Sequence, residues 1–196
     1  FQLTVVSPDA AARGVELPKP KKSKRSYLTH AQVDLLARSA GEHATLIYTL
    51  AYTGIRWGEM AGLRAYSVDL ERGRLSIFQS AVQIGSTFSL EAPKNGEPRS
   101  IPLPAFLVSR LRVHMAQMHS GDLVFGVAGE YPKRPHTSKG WLAWALKRAQ
   151  AADPTMPKVS PHELRHTAAS LAVSAGANVK AVQRMLGHKS AAMTLD

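Results

Sequence analysis

The local folding signals of the chain are densest in its C-terminal third, where two consecutive helices are marked by their boundaries. Ser160 followed by Pro161 is a typical helix start, and Glu163, three residues after Ser160, completes a capping box. Apolar residues then recur at helical spacing until Gly176, which ends the helix. The stretch 178–187 repeats this pattern, with Asn at its start and Gly at its end. We therefore predict two linked helices that bring the basic side chains of this segment close together.

The first of these helices carries basic side chains that a hydrophobic core does not need. His162 and Arg165 are three residues apart, so they are neighbours on one helix face. A guanidinium beside an imidazole suits an oxyanion such as phosphate, because both groups donate hydrogen bonds to it. The simpler alternative is a solvated helix face without a binding role.

The segment 162–166, His-Glu-Leu-Arg-His, also matches the H-E-x-x-H motif of zinc peptidases. Such a site needs a third ligand, but no acidic residue occurs between Glu163 and Asp196, and no further histidine motif extends the pattern. Arg165 would also place a cation beside a dication. We therefore rank a zinc peptidase third among the candidate functions and expect no metal site.

A second basic motif lies far upstream, in the stretch 53–63, Thr-Gly-Ile-Arg-Trp-Gly-Glu-Met-Ala-Gly-Leu. Arg56 and Glu59 are three residues apart at the start of a predicted helix, with apolar residues around them for the core. Taken alone, the pair is most simply a surface ion pair worth a few tenths of a kcal/mol, on the order of 0.2–0.5.

The overall charge of the chain favours a polyanionic partner. Lys and Arg outnumber Asp and Glu by 25 to 14, which gives a net charge of +11. There are no cysteines, so disulfides and thiolate metal sites are excluded. No apolar run approaches transmembrane length, and we expect a soluble cytoplasmic protein without membrane contact.

Two basic segments are candidates for contacting DNA phosphates. Residues 1–26 are expected to form a basic linker or a solvated tail, because a segment so rich in cations does not fold on its own. The loop 126–138 is the second segment. The candidate DNA-binding residues are Lys19, Lys21, Lys22, Lys24, Arg25, Lys133 and Arg134.

The remaining pattern predicts a mainly α domain with a small three-stranded antiparallel β-sheet (α+β). Helical signals occupy the stretches before Leu63 and after Pro104. Alternating and β-branched residues predict strands at 74–82, 87–90 and 99–103. The turn Pro93-Lys-Asn-Gly would place Lys94 at a hairpin tip, although a lysine in a polar turn is usually only solvated.

Together these motifs resemble the catalytic domain of the tyrosine recombinases, the phage-integrase family. The pattern H-x-L-R-H followed by a helix ending in L-G-H stands here at 162–166 and 186–188, and the stretch 53–63 resembles the family's first arginine box. The resemblance covers 27–196 and implies the tyrosine-recombinase catalytic-domain fold. It implies site-specific cleavage and rejoining of double-stranded DNA through a 3′-phosphotyrosine, without a cofactor, and a synaptic tetramer of the full-length protein on DNA in a bacterial host. A DNA-binding module without catalysis is the alternative.

The resemblance also assigns roles to individual residues. Arg56 and Arg165 would clamp the phosphate, Lys94 would protonate the leaving oxygen, His162 would accept the proton of the nucleophile, and His188 would hydrogen-bond the phosphate. Glu59 would orient the arginine or histidine without contacting the phosphate, and His166 would have a similar supporting or a structural role. The nucleophilic tyrosine is expected one or two residues beyond Asp196, so we expect this chain to end before it and to be inactive in cleavage by itself.

Overall fold

A computed structural model describes residues 27–93, 97–136 and 138–187 of the chain. Seven α-helices lie within these residues, and two short 3₁₀ turns follow α1 and α3. The helices are α1 His30–Ser39, α2 Ala44–Thr53, α3 Trp57–Ala61, α4 Ala105–His114, α5 Trp141–Ala152, α6 Pro161–Ser174 and α7 Val179–Leu186. None of the helices in the described part of the chain is long and apolar enough to cross a membrane.

The predicted helix boundaries in the C-terminal third are confirmed by the capping contacts. Ser160 and Glu163 form the expected capping box at the start of α6, with the Ser160 N–H 2.7 Å from the Glu163 carboxylate. The Asn178 side chain accepts the Lys180 N–H at 2.8 Å and so caps α7. Gly187 ends α7 in the left-handed conformation, which glycine adopts without steric cost.

The strands form two small antiparallel sheets. One sheet has the order β1–β2–β5, built from Val68–Asp69, Arg74–Ile77 and Arg99–Pro102. The other is a hairpin of β3, Ser80–Ile84, and β4, Thr87–Glu91. The predicted class, mainly α with a small three-stranded antiparallel sheet, is therefore confirmed. The predicted hairpin between the strands at 87–90 and 99–103 is wrong, because β4 pairs with β3 and β5 pairs with β2 in separate sheets.

The strand predicted at 74–82 is wrong in one respect, because it is divided into β2 and β3. The break falls at Phe78 and Gln79, where the Gln79 side chain donates to the Gly62 carbonyl at 2.9 Å. Beyond it, β3 packs against α3, where a Cβ built on Gly58 would lie only 2.8 Å from the Ala81 carbonyl oxygen. Packing against α3 takes the second half of the predicted strand out of the first sheet.

The core is organised around α2, most of whose residues are buried. It packs against α6, α1 and α4, so it links the C-terminal helices to the N-terminal part of the domain. Gly54 ends α2 with φ +63, and a Cβ at this position would overlap the Leu186 side chain at 2.4 Å. The end of α7 is thus seated directly on the end of α2.

The helical spacing of Trp141, Leu142, Trp144, Ala145 and Ala149 predicts an amphipathic helix whose tryptophans face the core. Leu142 and Ala145 are buried, whereas the Trp144 residue is 57% exposed and Trp141 is partly buried beside His43. The expectation is wrong for Trp144, because the buried face of α5 is formed by the aliphatic residues on the other side of the helix.

Candidate active site

Residues from three separate parts of the chain line one cleft of about 280 Å³. They come from the N-cap and first turn of α3, from the loop before α5 and from the first turns of α6. The lining residues are Arg56, Trp57, Gly58, Arg134, Pro161, His162 and Arg165. Three of the predicted catalytic side chains, those of Arg56, His162 and Arg165, therefore share one cavity.

Arg56 is held by a buried carboxylate directly behind it. The Glu59 side chain is fully buried, and one of its oxygens accepts from Arg56 Nη1 at 3.0 Å. The other oxygen accepts the Arg56 backbone N–H at 2.8 Å, which closes the first turn of α3. The Arg56 side chain keeps 27% of its surface exposed, and Arg56 is among the residues that line the cleft. Glu59 thus orients the guanidinium while its own carboxylate stays out of the cleft.

A second arginine, Arg99, belongs to none of the sequence motifs above but binds the same carboxylate. Arg99 at the start of β5 donates from Nη1 and Nη2 to the two Glu59 oxygens at 2.9 and 2.6 Å. Its Nε also donates to the Met185 carbonyl near the end of α7 at 3.0 Å. The available signal is the strand period, because Arg99 lies two residues before the buried Ile101 and so shares its face. An inward-facing arginine requires an anionic or carbonyl partner.

Burial and the two arginines act in opposite directions on the Glu59 carboxyl group. Burial by itself would raise the pKa of Glu59, but hydrogen bonds and charge from Arg99, and then from Arg56, outweigh it and hold the pKa below its ordinary value. Glu59 is therefore ionised at neutral pH.

Arg165 is almost completely buried, with 4% of its surface exposed. Its Nη1 donates to the Gly54 carbonyl at 2.5 Å, across 111 residues of sequence, and its Nη2 donates to the Leu186 carbonyl. Burial, followed by repulsion from Arg56, lowers the pKa of Arg165 to about 9. The guanidinium is still charged at neutral pH, and it ties α6 to the ends of α2 and α7.

The guanidiniums around the cleft are only partly neutralised by acidic groups. Within the described residues, Glu59 is the carboxylate that bonds to Arg56 and Arg99, and its charge also acts on Arg165. Three cations close to one anion leave an excess of positive charge beside the cleft. Such an excess favours the binding of an oxyanion there.

His162 and His166 lie one turn apart on α6, with their Nε2 atoms 3.1 Å from each other. Glu163, the acidic residue of the H-E-x-x-H pattern, is occupied by the Ser160 N–H and hydroxyl. The described part of the chain brings no group of three or more potential metal-binding side chains together.

Apart from Arg134, the other predicted site residues do not line the cleft or lie outside the described part of the chain. Lys94, His188 and the cations of the linker at positions 19–25 lie outside the described residues. Both Lys133 and Arg134 are exposed, but Arg134 alone of the two lines the cleft. All five tyrosines of the chain are described, and none of them lines the cleft.

The fold and the arginine motifs at 53–63 and 162–166 point to one protein family. A model of the phage integrase family matches residues 26–196, which is most of the chain, and this protein therefore belongs to the phage integrase family.

Individual relatives agree with this assignment. The chain is 28% identical to an integrase of Mycobacterium phage D29 over 188 residues, covering 92% of this chain and 50% of the phage protein. It is 24% identical to the tyrosine recombinase XerC of Treponema denticola over 201 residues, covering 99% of this chain and 65% of XerC. The chain thus spans between half and about two thirds of the length of these relatives.

Solved structures show the same fold. The Tn1549 transposon integrase in complex with transposon right end DNA matches with a TM-score of 0.76, covering 91% of this chain and 62% of that one, at 24% sequence identity. The expected tyrosine-recombinase catalytic-domain fold is therefore confirmed.

Proposed function

We propose that this chain is the catalytic domain of a site-specific recombinase that cleaves and rejoins double-stranded DNA through a 3′-phosphotyrosine. The observation that carries the proposal is the convergence of Arg56, His162 and Arg165 on one cleft, although Arg165 and the first motif are separated by more than a hundred residues. A module that only binds DNA does not need to bury cations together, because exposed lysines and arginines attract phosphates without that cost.

The proposed chemistry begins with a phosphodiester in the cleft. Arg56 and Arg165 would donate to its non-bridging oxygens, and each charge-assisted hydrogen bond is worth about 1.5–3 kcal/mol. Arg165 uses two N–H groups for backbone carbonyls, and a guanidinium has five donors, so others remain for an anion. The same contacts would stabilise the charge that builds up on a five-coordinate phosphorus.

The proton transfers would be divided between the two sides of the phosphorus. A tyrosine oxygen attacks phosphorus while the bond to the 5′-oxygen breaks, and His162 accepts the phenolic proton. Lys94 donates a proton to the departing 5′-oxygen, and His188 hydrogen-bonds the phosphate. The 3.1 Å contact between the two Nε2 atoms supports a role for His166 in orienting His162.

The attacking tyrosine would come from outside the present sequence. The family pattern places it one or two residues after Asp196, and none of the five tyrosines of this chain is among the residues that line the cleft. Arg134 at the cleft and the exposed Lys133 beside it would contact neighbouring phosphates. The full-length protein would assemble as a tetramer on its DNA sites in the bacterial cytoplasm.

Trapping of the covalent intermediate tests this proposal. The full-length parent protein is incubated with nicked duplexes selected for binding to it, so that the cleaved strand is lost and a protein–DNA adduct accumulates. We expect a phosphotyrosine adduct that forms in the presence of EDTA and that Arg56→Met abolishes. Arg112→Met is the matched control, because Arg112 also binds one carboxylate, that of Glu71, but on the exposed surface.

The possible outcomes separate the candidate functions. DNA binding without any adduct from the full-length protein would favour the non-catalytic binding module. Loss of the adduct in EDTA, restored by zinc, would favour metal-dependent chemistry and contradict the proposal.

A further inference from the structure

Arg99 connects the two halves of the candidate site without lining the cleft itself. Its guanidinium grips both oxygens of Glu59, the carboxylate that orients Arg56. Its Nε binds the Met185 carbonyl in the last turn of α7. The Arg99 side chain therefore contacts both Glu59, which holds Arg56, and the C-terminal end of α7.

The end of α7 is fixed by cations from two different elements. Arg99 binds the Met185 carbonyl and Arg165 binds the Leu186 carbonyl, so two guanidiniums occupy the negative end of the helix dipole. Gly187 lies so close that a Cβ built on it would be 3.3 Å from three atoms of the Arg99 side chain. Gly187, the residue just before His188, is thus packed directly against the Arg99 side chain.

We propose that Arg99 is a positioning residue, which holds Arg56 and the end of α7 in one arrangement around the bound phosphate. This inference rests on the function proposed above. In it, Arg99 does not contact the phosphate but acts through Arg56 and the end of α7. If the two hydrogen bonds from Arg99 to Glu59 are removed, Arg56 is the remaining guanidinium that binds this carboxylate. Arg56 is then drawn towards the carboxylate and away from the phosphate, and the last turn of α7 loses one of its two cationic caps.

Arg99→Lys is the variant that separates positioning from folding. Lysine keeps the charge beside Glu59, so the domain folds, but a single ammonium cannot supply the fork to both oxygens and the bond to the Met185 carbonyl. Arg112→Lys is the matched control, since Arg112 pairs with Glu71 on the surface, where 56% of its side chain is exposed.

The first readout needs no catalytic activity. In nitrogen-15 NMR spectra of the chain, we expect Arg99→Lys to shift the guanidinium signals of Arg56. We also expect the Leu186 and Gly187 amides to exchange with solvent at least about tenfold faster, a change that caps of this kind can produce. Arg112→Lys should change neither. If Arg99→Lys leaves both the Arg56 signals and the α7 amides unchanged, the inference is wrong.

The second readout is single-turnover cleavage by the full-length parent protein at saturating DNA. We expect Arg99→Lys to lower the cleavage rate constant at least about tenfold, while the dissociation constant for DNA changes less than about threefold, as for a misplaced catalytic group. Cleavage within twofold of the wild-type rate, or an equal loss of DNA affinity, would overturn the positioning role. If the wild-type protein cleaves no DNA, the proposed function fails, and the NMR readout still decides whether Arg99 positions Arg56.

Discussion

Gly58 offers a direct test of how rigidly α3 is seated against β3. In the interior of a helix, replacing glycine by alanine normally stabilises a protein, by about 0.4–1 kcal/mol, because the unfolded chain loses conformational freedom. Here the added Cβ would lie 2.5 Å from the Ser80 hydroxyl oxygen and 2.8 Å from the Ala81 carbonyl oxygen. The serine side chain can rotate away, but the carbonyl belongs to the backbone of β3.

Overlap with a backbone atom forces α3 and β3 apart, and overpacking of this kind costs about 1–3 kcal/mol. We therefore expect Gly58→Ala to destabilise the domain by up to about 2.5 kcal/mol once the gain from the unfolded chain is subtracted. For a domain of this size, each kcal/mol lowers the melting temperature by about 2–4 °C. Because Gly58 lines the cleft and follows Arg56 by two residues, the substitution should also slow the proposed DNA cleavage.

Gly121→Ala is the matched control, because a Cβ there meets no atom within 4 Å and the backbone is not in the left-handed region. Its effect on the unfolded chain is the same, so the difference between the two variants measures the overlap alone. Thermal and urea unfolding followed by circular dichroism would give both values. Equal stability changes in the two variants would refute the reasoning, since they would mean that α3 and β3 separate without cost.

Three further predictions concern charge. In urea unfolding, Arg165→Met should lower the stability of the domain by about 2–6 kcal/mol, because two buried carbonyls lose their hydrogen-bond donor. The control Arg148→Met removes hydrogen bonds to an exposed carbonyl, so it should cost under about 1 kcal/mol. Since the folded pKa of Glu59 lies below the ordinary value of 4.5, its ionised form stabilises the fold above pH 4.5, and this contribution is lost as the pH falls through the folded value. Urea unfolding between pH 3 and 7 should therefore show a weaker acid dependence in Glu59→Gln. Binding of the chain to duplex DNA should weaken with salt, with a slope of log affinity against log salt of about −4 to −5 if about five phosphates are neutralised, and a flat response would contradict it.

The local features of the fold were predictable because their causes lie within a few residues. The capping box of Ser160 and Glu163 and the glycine at the end of α7 depend on contacts between near neighbours. The division of the strand at 74–82 was not predictable in this way, because it depends on packing between β3 and a helix that precedes it in the chain.

The site shows the same contrast between short-range and long-range causes. Arg56 and Glu59 are three residues apart, so their contact follows from helical spacing. Arg99 reaches the same carboxylate across 40 residues and α7 across 86, and a single sequence gives no register for such contacts. The strand period places Arg99 on the same face as the buried Ile101. Only the packing reveals that its partners on that face are Glu59 and the Met185 carbonyl.

The proposed reaction depends on a phosphodiester bound in the cleft between Arg56 and Arg165. A crystal structure of this chain bound to a DNA duplex tests it most directly. We expect a phosphate whose non-bridging oxygens lie about 2.7–2.9 Å from guanidinium nitrogens of both arginines, with His162 beside it. If the nearest phosphates of the duplex bind only exposed cations such as Lys133, and water occupies the cleft, the proposed site is wrong.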